Sequence, residues 1–201
     1  MLAISIERVC AADKTPTLVV LGDSLVAGYG LAEADAFPAQ LELALRASGQ
    51  DVQVINAGVS GDTTAGGLAR LDWSIPADAD AVMVELGAND ALRGLSPAAT
   101  RANLEEIIAR LKQRGTKVLL AGMLAPPNMG LDYETQFNRI FPDLATSNDI
   151  EFYPFFLDGV AARRDLNQAD GIHPNPEGVR ILVERLLPTV MQLLAKSASD
   201  G

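Results

Sequence analysis

The strongest constraint on this chain is a repeated alternation. Short apolar runs, each stopped by glycine or polar residues, are separated by stretches with helical periodicity. The runs are Leu18–Leu21, Val52–Ala57, Ala81–Leu86, Lys117–Gly122 and Ile150–Tyr153. Their length and composition suit strands buried on both faces of a parallel sheet. Between them the spacing predicts helices over Ala36–Ala47, from the Gly58–Thr64 turn to about Leu71, over Ser96–Arg114 and over Asp132–Asn148. A last amphipathic helix is expected from Pro176 to about Lys196. Asp62 or Thr63 is placed to cap the second helix, and Ser96 the third, with Gly115 ending the latter. Pro154 to Ala169 shows neither period and reads as irregular. Strand alternating with helix predicts a three-layer α/β/α sandwich built on a parallel sheet.

With 201 residues and no internal repeat or linker, one domain over 15–196 is expected, with tails at 1–14 and 197–201. A formal charge of -10 without a local basic run excludes an obvious nucleic-acid or anionic-lipid surface. No apolar stretch has the ~20 residues that span a bilayer, so no stable membrane insertion is expected. Cys10 is the single cysteine and has no internal disulfide partner. Val9-Cys10-Ala11-Ala12-Asp13 has the small residues of a signal-peptidase site, behind a short region interrupted by Glu7 and Arg8. It reads either as the remnant of an export signal, giving a periplasmic or secreted protein, or as a cytoplasmic N-terminus.

In open α/β sheets ligands sit beyond the carboxyl ends of the strands. At those ends stand Asp23-Ser24, the Gly58–Thr64 segment and Asn89-Asp90, and His173 lies in a proline-framed turn three residues after Asp170. Each has a bland reading as helix cap, turn residue or solvated side chain. Each also has a chemical one. Asp170 is close enough to accept from His173 Nδ1, leaving Nε2 to take a proton from a hydroxyl such as that of Ser24. Gly58 or Gly61 would let a backbone N–H approach a developing negative charge, and the Asn89 amide is a neutral donor for the same purpose. Asp23 and Asp90 read as acids that bond local backbone N–H groups. Gly22–Gly30 lacks the Lys-Ser/Thr ending of a phosphate loop, and no ligand set has metal-binding spacing, so neither cofactor nor metal is called for. The Met123–Met129 loop is either a packed connection or an apolar wall, with Met123, Leu124, Pro126 and Met129 facing substrate.

Four blocks, in order, resemble the SGNH (GDSL) hydrolase family: Gly22-Asp23-Ser24-Leu25, Asn56-Ala57-Gly58-Val59-Ser60-Gly61-Asp62, Gly87-Ala88-Asn89-Asp90 and Asp170-Gly171-Ile172-His173-Pro174. Within it the chain is similar to the bacterial periplasmic thioesterase, arylesterase and lysophospholipase group, through Gly67-Leu68-Ala69-Arg70-Leu71 and Val84-Glu85-Leu86-Gly87 among others. The resemblance implies a flavodoxin-like sheet of five parallel strands. It implies Ser24 as nucleophile, Asp170 and His173 as its partners, and an oxyanion hole of Ser24, Gly61 and Asn89. The expected substrate is a small acyl ester. An acidic chain is a poor host for coenzyme A phosphates, which favours short- to medium-chain carboxylic and aryl esters. Acyl-CoA thioesters and lysophospholipids are the alternative, ahead of sugar O-acetyl groups. A flavodoxin-like binding module without catalysis is the reading from another class.

Overall fold

The computed structural model describes residues 15–199; the export-signal reading of residues 1–11 and the last two residues lie outside them. Strands β1 (Thr17–Gly22), β2 (Gln53–Gly58), β3 (Ala81–Glu85), β4 (Lys117–Ala121) and β5 (Glu151–Tyr153) form one parallel sheet in the order β2-β1-β3-β4-β5. This is the flavodoxin-like order, with its switch point between β1 and β3. Every residue of β1 and β3 is buried, as expected of central strands covered by helices on both faces. β2 lies on the edge and is partly exposed, and its residues alternate less cleanly.

The helices are α1 (Ser24–Ala27), α2 (Phe37–Ala47), α3 (Thr64–Ala69), α4 (Leu71–Ser74), α5 (Ala88–Leu92), α6 (Pro97–Gln113), α7 (Leu131–Asn138), α8 (Ile140–Asn148) and α9 (Pro176–Ser199). α2 packs on α9 over one part of the sheet, and α6 packs on α3 and α8 over another. Leu41 and Leu45 of α2, Leu104, Ile107, Ile108 and Leu111 of α6, and Leu182, Leu186 and Val190 of α9 lie in the core, at the three- and four-residue spacing of a helix face. Among the described residues no helix is long and apolar enough to cross a membrane.

Four elements differ from the sequence reading. The single helix expected over Asp132–Asn148 is two, broken at Arg139. Pro142 supplies the reason: it has no N–H to give the Asn138 carbonyl, and its ring crowds that carbonyl. The helix expected to run to Leu71 ends at Ala69 and restarts, with Thr63 rather than Asp62 as its cap, Oγ1 accepting from Gly66 N–H at 3.3 Å. Ser96 stands at the start of α6 but makes no side-chain cap; its carbonyl instead accepts from the Thr100 hydroxyl. α9 continues to Ser199, past the expected end at Lys196.

Asp62 is free of capping because Arg70 holds it. The buried guanidinium donates to Asp62 Oδ2 at 2.6 Å, to Ser74 Oγ at 3.1 Å and to the Gly22 carbonyl at 2.9 Å. It thereby ties the end of β1 to the loop that precedes α3. Removing one partner of a buried pair strands the other charge, at about 3–5 kcal/mol. Arg70→Ala is therefore expected to lower Tm by roughly 10 °C in a thermal melt, and an unchanged Tm would show the clamp to be idle.

Candidate active site

β1 ends at Gly22, and the chain turns at once into the one-turn helix α1. Asp23 caps it by accepting from Leu25 N–H at 3.0 Å, and Ser24 is its first residue. This places the Ser24 hydroxyl beyond the carboxyl end of a central strand. Neighbouring β2 must pass close beneath: a Cβ on Gly58 would lie 2.3 Å from the backbone nitrogen of Ala27, so only glycine fits.

His173 lies in the loop that precedes α9. Its loop is held by an antiparallel bridge between Asn167 and Pro174 and by Gln168 N–H donating to the His173 carbonyl at 2.8 Å. The Gln168 side chain donates to the Pro174 carbonyl at 3.0 Å and to the Tyr29 carbonyl at 2.7 Å, joining this loop to the one after α1. The Tyr29 ring lies 4.6 Å from the imidazole, centroid to centroid. Imidazole Nε2 stands 2.9 Å from Ser24 Oγ, and Nδ1 2.7 Å from Asp170 Oδ2. With Nδ1–H donating to Asp170, Nε2 is the acceptor for the serine O–H.

Asp170 has other donors. Its Oδ1 accepts from Ile172 N–H at 3.0 Å and from His173 N–H at 3.1 Å. The Ile172 N–H, then the imidazole, then the His173 N–H hold the carboxyl down to about 2. A depressed value means that the carboxylate, and the turn it stabilises, persist until the pH falls through about 2. Asp170 thus stays ionised over any working pH, although over a third of its side chain is exposed.

Ser24, Gly61 and Asn89 all line one cavity of about 430 Å³ together with His173. Among the described residues, the N–H groups of Ser24 and Gly61 have no backbone acceptor. Gly58 N–H, by contrast, donates to Asn56 Oδ1 at 2.9 Å. Gly61, the glycine the family resemblance implies, is thus the one of the two with a donor to spare. It adopts φ 81°, which favours glycine, and its carbonyl accepts from the Arg93 guanidinium at 2.6 Å. Arg93 directly follows α5, the helix that carries Asn89. The same helix supplies Asp90, buried and bonded to Thr64 N–H at 2.9 Å and to the hydroxyls of Thr64 and Thr100. Asp90 and Arg93 thus tie the helix carrying Asn89 to the Gly61–Thr64 segment.

Met123, Leu124 and Pro126 form part of the cavity wall. Met129 does not: it sits in a 3-10 turn with its methyl group 3.3 Å from where a Cβ on Gly94 would be. Much of the remaining apolar wall escaped the sequence reading. Tyr29, Leu92, Phe155, Leu157, Ala161 and Ile172 line the same space. Phe155, Leu157 and Ala161 come from the aperiodic Pro154–Ala169 stretch, in which no repeat marks a face. Among the described residues no group of three or more His, Cys, Asp or Glu side chains could hold a metal ion.

Residues 20–181 match the model of the GDSL-like lipase/acylhydrolase family. The chain belongs to this family. Esterase TesA of Pseudomonas aeruginosa is 42% identical over 179 residues, covering 89% of each chain. The arylesterase of Vibrio mimicus is 43% identical over 171 residues, 83% of this chain and 84% of the relative. Thioesterase 1/protease 1/lysophospholipase L1 of Escherichia coli K12 is 37% identical over 188 residues, 93% and 88% of the two chains. A crystal structure of TesA superposes with a TM-score of 0.83 at 41% identity, covering 88% of this chain and 99% of that one. The GDSL-family block Gly22-Asp23-Ser24-Leu25 is thus the β1–α1 junction, and it lies within the matched span.

Proposed function

We propose that this GDSL-family chain is a serine esterase that hydrolyses short- to medium-chain carboxylic and aryl esters through an acyl-enzyme on Ser24. The observation that carries the reading is the continuous chain Ser24 Oγ, His173 Nε2, His173 Nδ1, Asp170 Oδ2, with steps of 2.9 and 2.7 Å. A non-catalytic binding module has no need of it.

In this mechanism the Ser24 proton moves to Nε2 as Oγ bonds to the ester carbonyl carbon. The carbonyl oxygen becomes an oxyanion facing the Ser24 and Gly61 N–H groups and the Asn89 amide. Collapse breaks the bond to the leaving alcohol, which takes the proton from Nε2. Water then repeats the sequence on the acyl-enzyme, its proton passing through Nε2 to Ser24 as the carboxylic acid leaves. Asp170 holds the Nδ1–H tautomer and stabilises the imidazolium.

The walls of Met123, Leu124, Phe155 and Leu157 suit an acyl or aryl group. The name of the V. mimicus relative supports aryl esters. Thioester and lysophospholipid hydrolysis is a second reading, favoured by the name of the E. coli relative. A fluorophosphonate probe is expected to label Ser24 once per chain, read by mass spectrometry. A series of p-nitrophenyl esters from acetyl to decanoyl, set beside acyl-CoA, should then give the higher kcat/KM on the esters. Preference for acyl-CoA would transfer the assignment to the second reading.

Asn89 has its own test. Removing one oxyanion donor costs about 2.7–4 kcal/mol of transition-state stabilisation. Asn89→Ala is expected to lower kcat roughly 10²–10³-fold with KM little changed. A loss below about tenfold would make Asn89 a turn residue only.

A further inference from the structure

Asp23 stands next to the reacting serine, and capping α1 does not explain it. The cap needs one acceptor for Leu25 N–H, which asparagine or serine would supply without burying an acid. Asp23 is nevertheless fully buried. Its second oxygen, Oδ2, accepts from Asn89 Nδ2 at 3.0 Å. A carboxamide has nearly the same shape with its nitrogen and oxygen exchanged, so packing alone leaves either end free to face the cavity. An ionised carboxylate only accepts. It bonds the Asn89 nitrogen and repels the oxygen.

We infer that Asp23 is the positioning residue of the oxyanion site, its acceptor-only carboxylate selecting the Asn89 orientation that presents an N–H to the ester oxygen. One hydrogen of Nδ2 goes to Asp23 and the other remains for the substrate. The inference rests on the proposed role of Asn89 as a donor. The opposite orientation would set a carbonyl oxygen against the developing oxyanion, turning a stabilising contact into a repulsive one.

Several titratable and charged groups surround this acid. Glu85 of β3 lies below it, its Oε2 3.4 Å from Asp23 N, and its Oε1 has no partner. Burial first, and then the Asp23 charge, push the Glu85 carboxyl well above the usual carboxylate range, which favours its neutral form. Asp62, from the loop before α3, also faces Asp23 but is paired with Arg70. Arg70 bonds the Gly22 carbonyl just before Asp23, and His173 faces it from the last loop. Burial raises the Asp23 carboxyl to about 6, opposed by the Leu25 N–H, the Asn89 amide and His173. Above that pH Asp23 is a carboxylate and selects the amide end. Below it the protonated acid can donate to the Asn89 oxygen, and the selection is lost.

A double-mutant cycle tests this with Asp23→Asn, Asn89→Ala and both together, assayed for kcat and KM on one p-nitrophenyl ester. Asp23→Asn keeps the shape and the acceptor for Leu25 N–H, and fluorophosphonate labelling of each variant counts the molecules with a competent Ser24. If the wild type itself is not labelled, the serine mechanism fails before the cycle is read. Asp23→Asn is expected to lower kcat at least about tenfold while KM stays within about threefold, and the double variant to fall no further than Asn89→Ala. The advantage of wild type over Asp23→Asn should shrink as pH drops below about 6. Losses that multiply in the double variant would show Asp23 acting through His173 or the fold, and would overturn the proposal. So would an Asp23→Asn kcat within about twofold of wild type.

Discussion

Ser24→Ala is expected to abolish ester turnover, lowering kcat on the order of 10⁵–10⁶-fold, while Tm stays within a few degrees of wild type. The size follows from the route that is lost. Without Oγ no acyl-enzyme forms, and only the oxyanion donors and substrate binding remain to help a water molecule attack. The fold should not notice, because Ser24 bonds His173 but does not cap a helix; that task belongs to Asp23. Steady-state assay of purified variant beside a thermal melt measures both. Activity near that of wild type in a folded variant would remove Ser24 from the mechanism.

Asp170→Asn is expected to cost on the order of 10⁴-fold in kcat, for a reason the hydrogen bonds specify. Oδ1 accepts from two backbone N–H groups, Ile172 and His173, so the oxygen of an asparagine at this position would stay there. Its amide nitrogen would then face Nδ1 of His173 and force that nitrogen to accept. The ring proton would move to Nε2, the atom 2.9 Å from Ser24 Oγ, which could no longer take the serine proton. The KM for ester should change little, since Asp170 is not among the residues lining the cavity. Asp170 is held down to about 2, so the wild-type rate should show no loss attributable to this acid until well below pH 4. A pH–rate profile of kcat/KM tests that. A loss of under about tenfold in Asp170→Asn would mean that Tyr29 and the loop suffice to orient the imidazole.

Particular residues show how far the amino-acid order can be read. Leu18–Leu21 is apolar at every position, and such a run stopped by Gly22 has few alternatives to a central parallel strand. The break at Arg139 was also written in the sequence, in Pro142, but the periodicity of Ile140, Phe141 and Leu144 masks it, since both halves bury the same face. Ser96 precedes Pro97 as a cap would, yet its hydroxyl accepts from no first-turn N–H, and only its carbonyl takes helical bonds, from the Ala99 and Thr100 N–H groups. Met129 shares its loop with Met123 and Leu124 and was expected beside them. A 3-10 turn rotates it toward Gly94 instead.

Local order therefore determined the strands, the helices and the chemistry available at each strand end: a hydroxyl, glycine N–H groups, an amide, and an imidazole with an acid three residues away. These follow from short-range periodicity and turn chemistry. Only the tertiary structure decided which of them meet. Ser24 and His173 are 149 residues apart in the chain and 2.9 Å apart in space. Asn56 Oδ1 takes the Gly58 N–H, which leaves Gly61, the glycine the family resemblance names, with its donor to spare. The bond from Asn89 to Asp23 spans 66 residues. Such pairings are set by the order of strands in the sheet and by burial, which leave no period in the sequence.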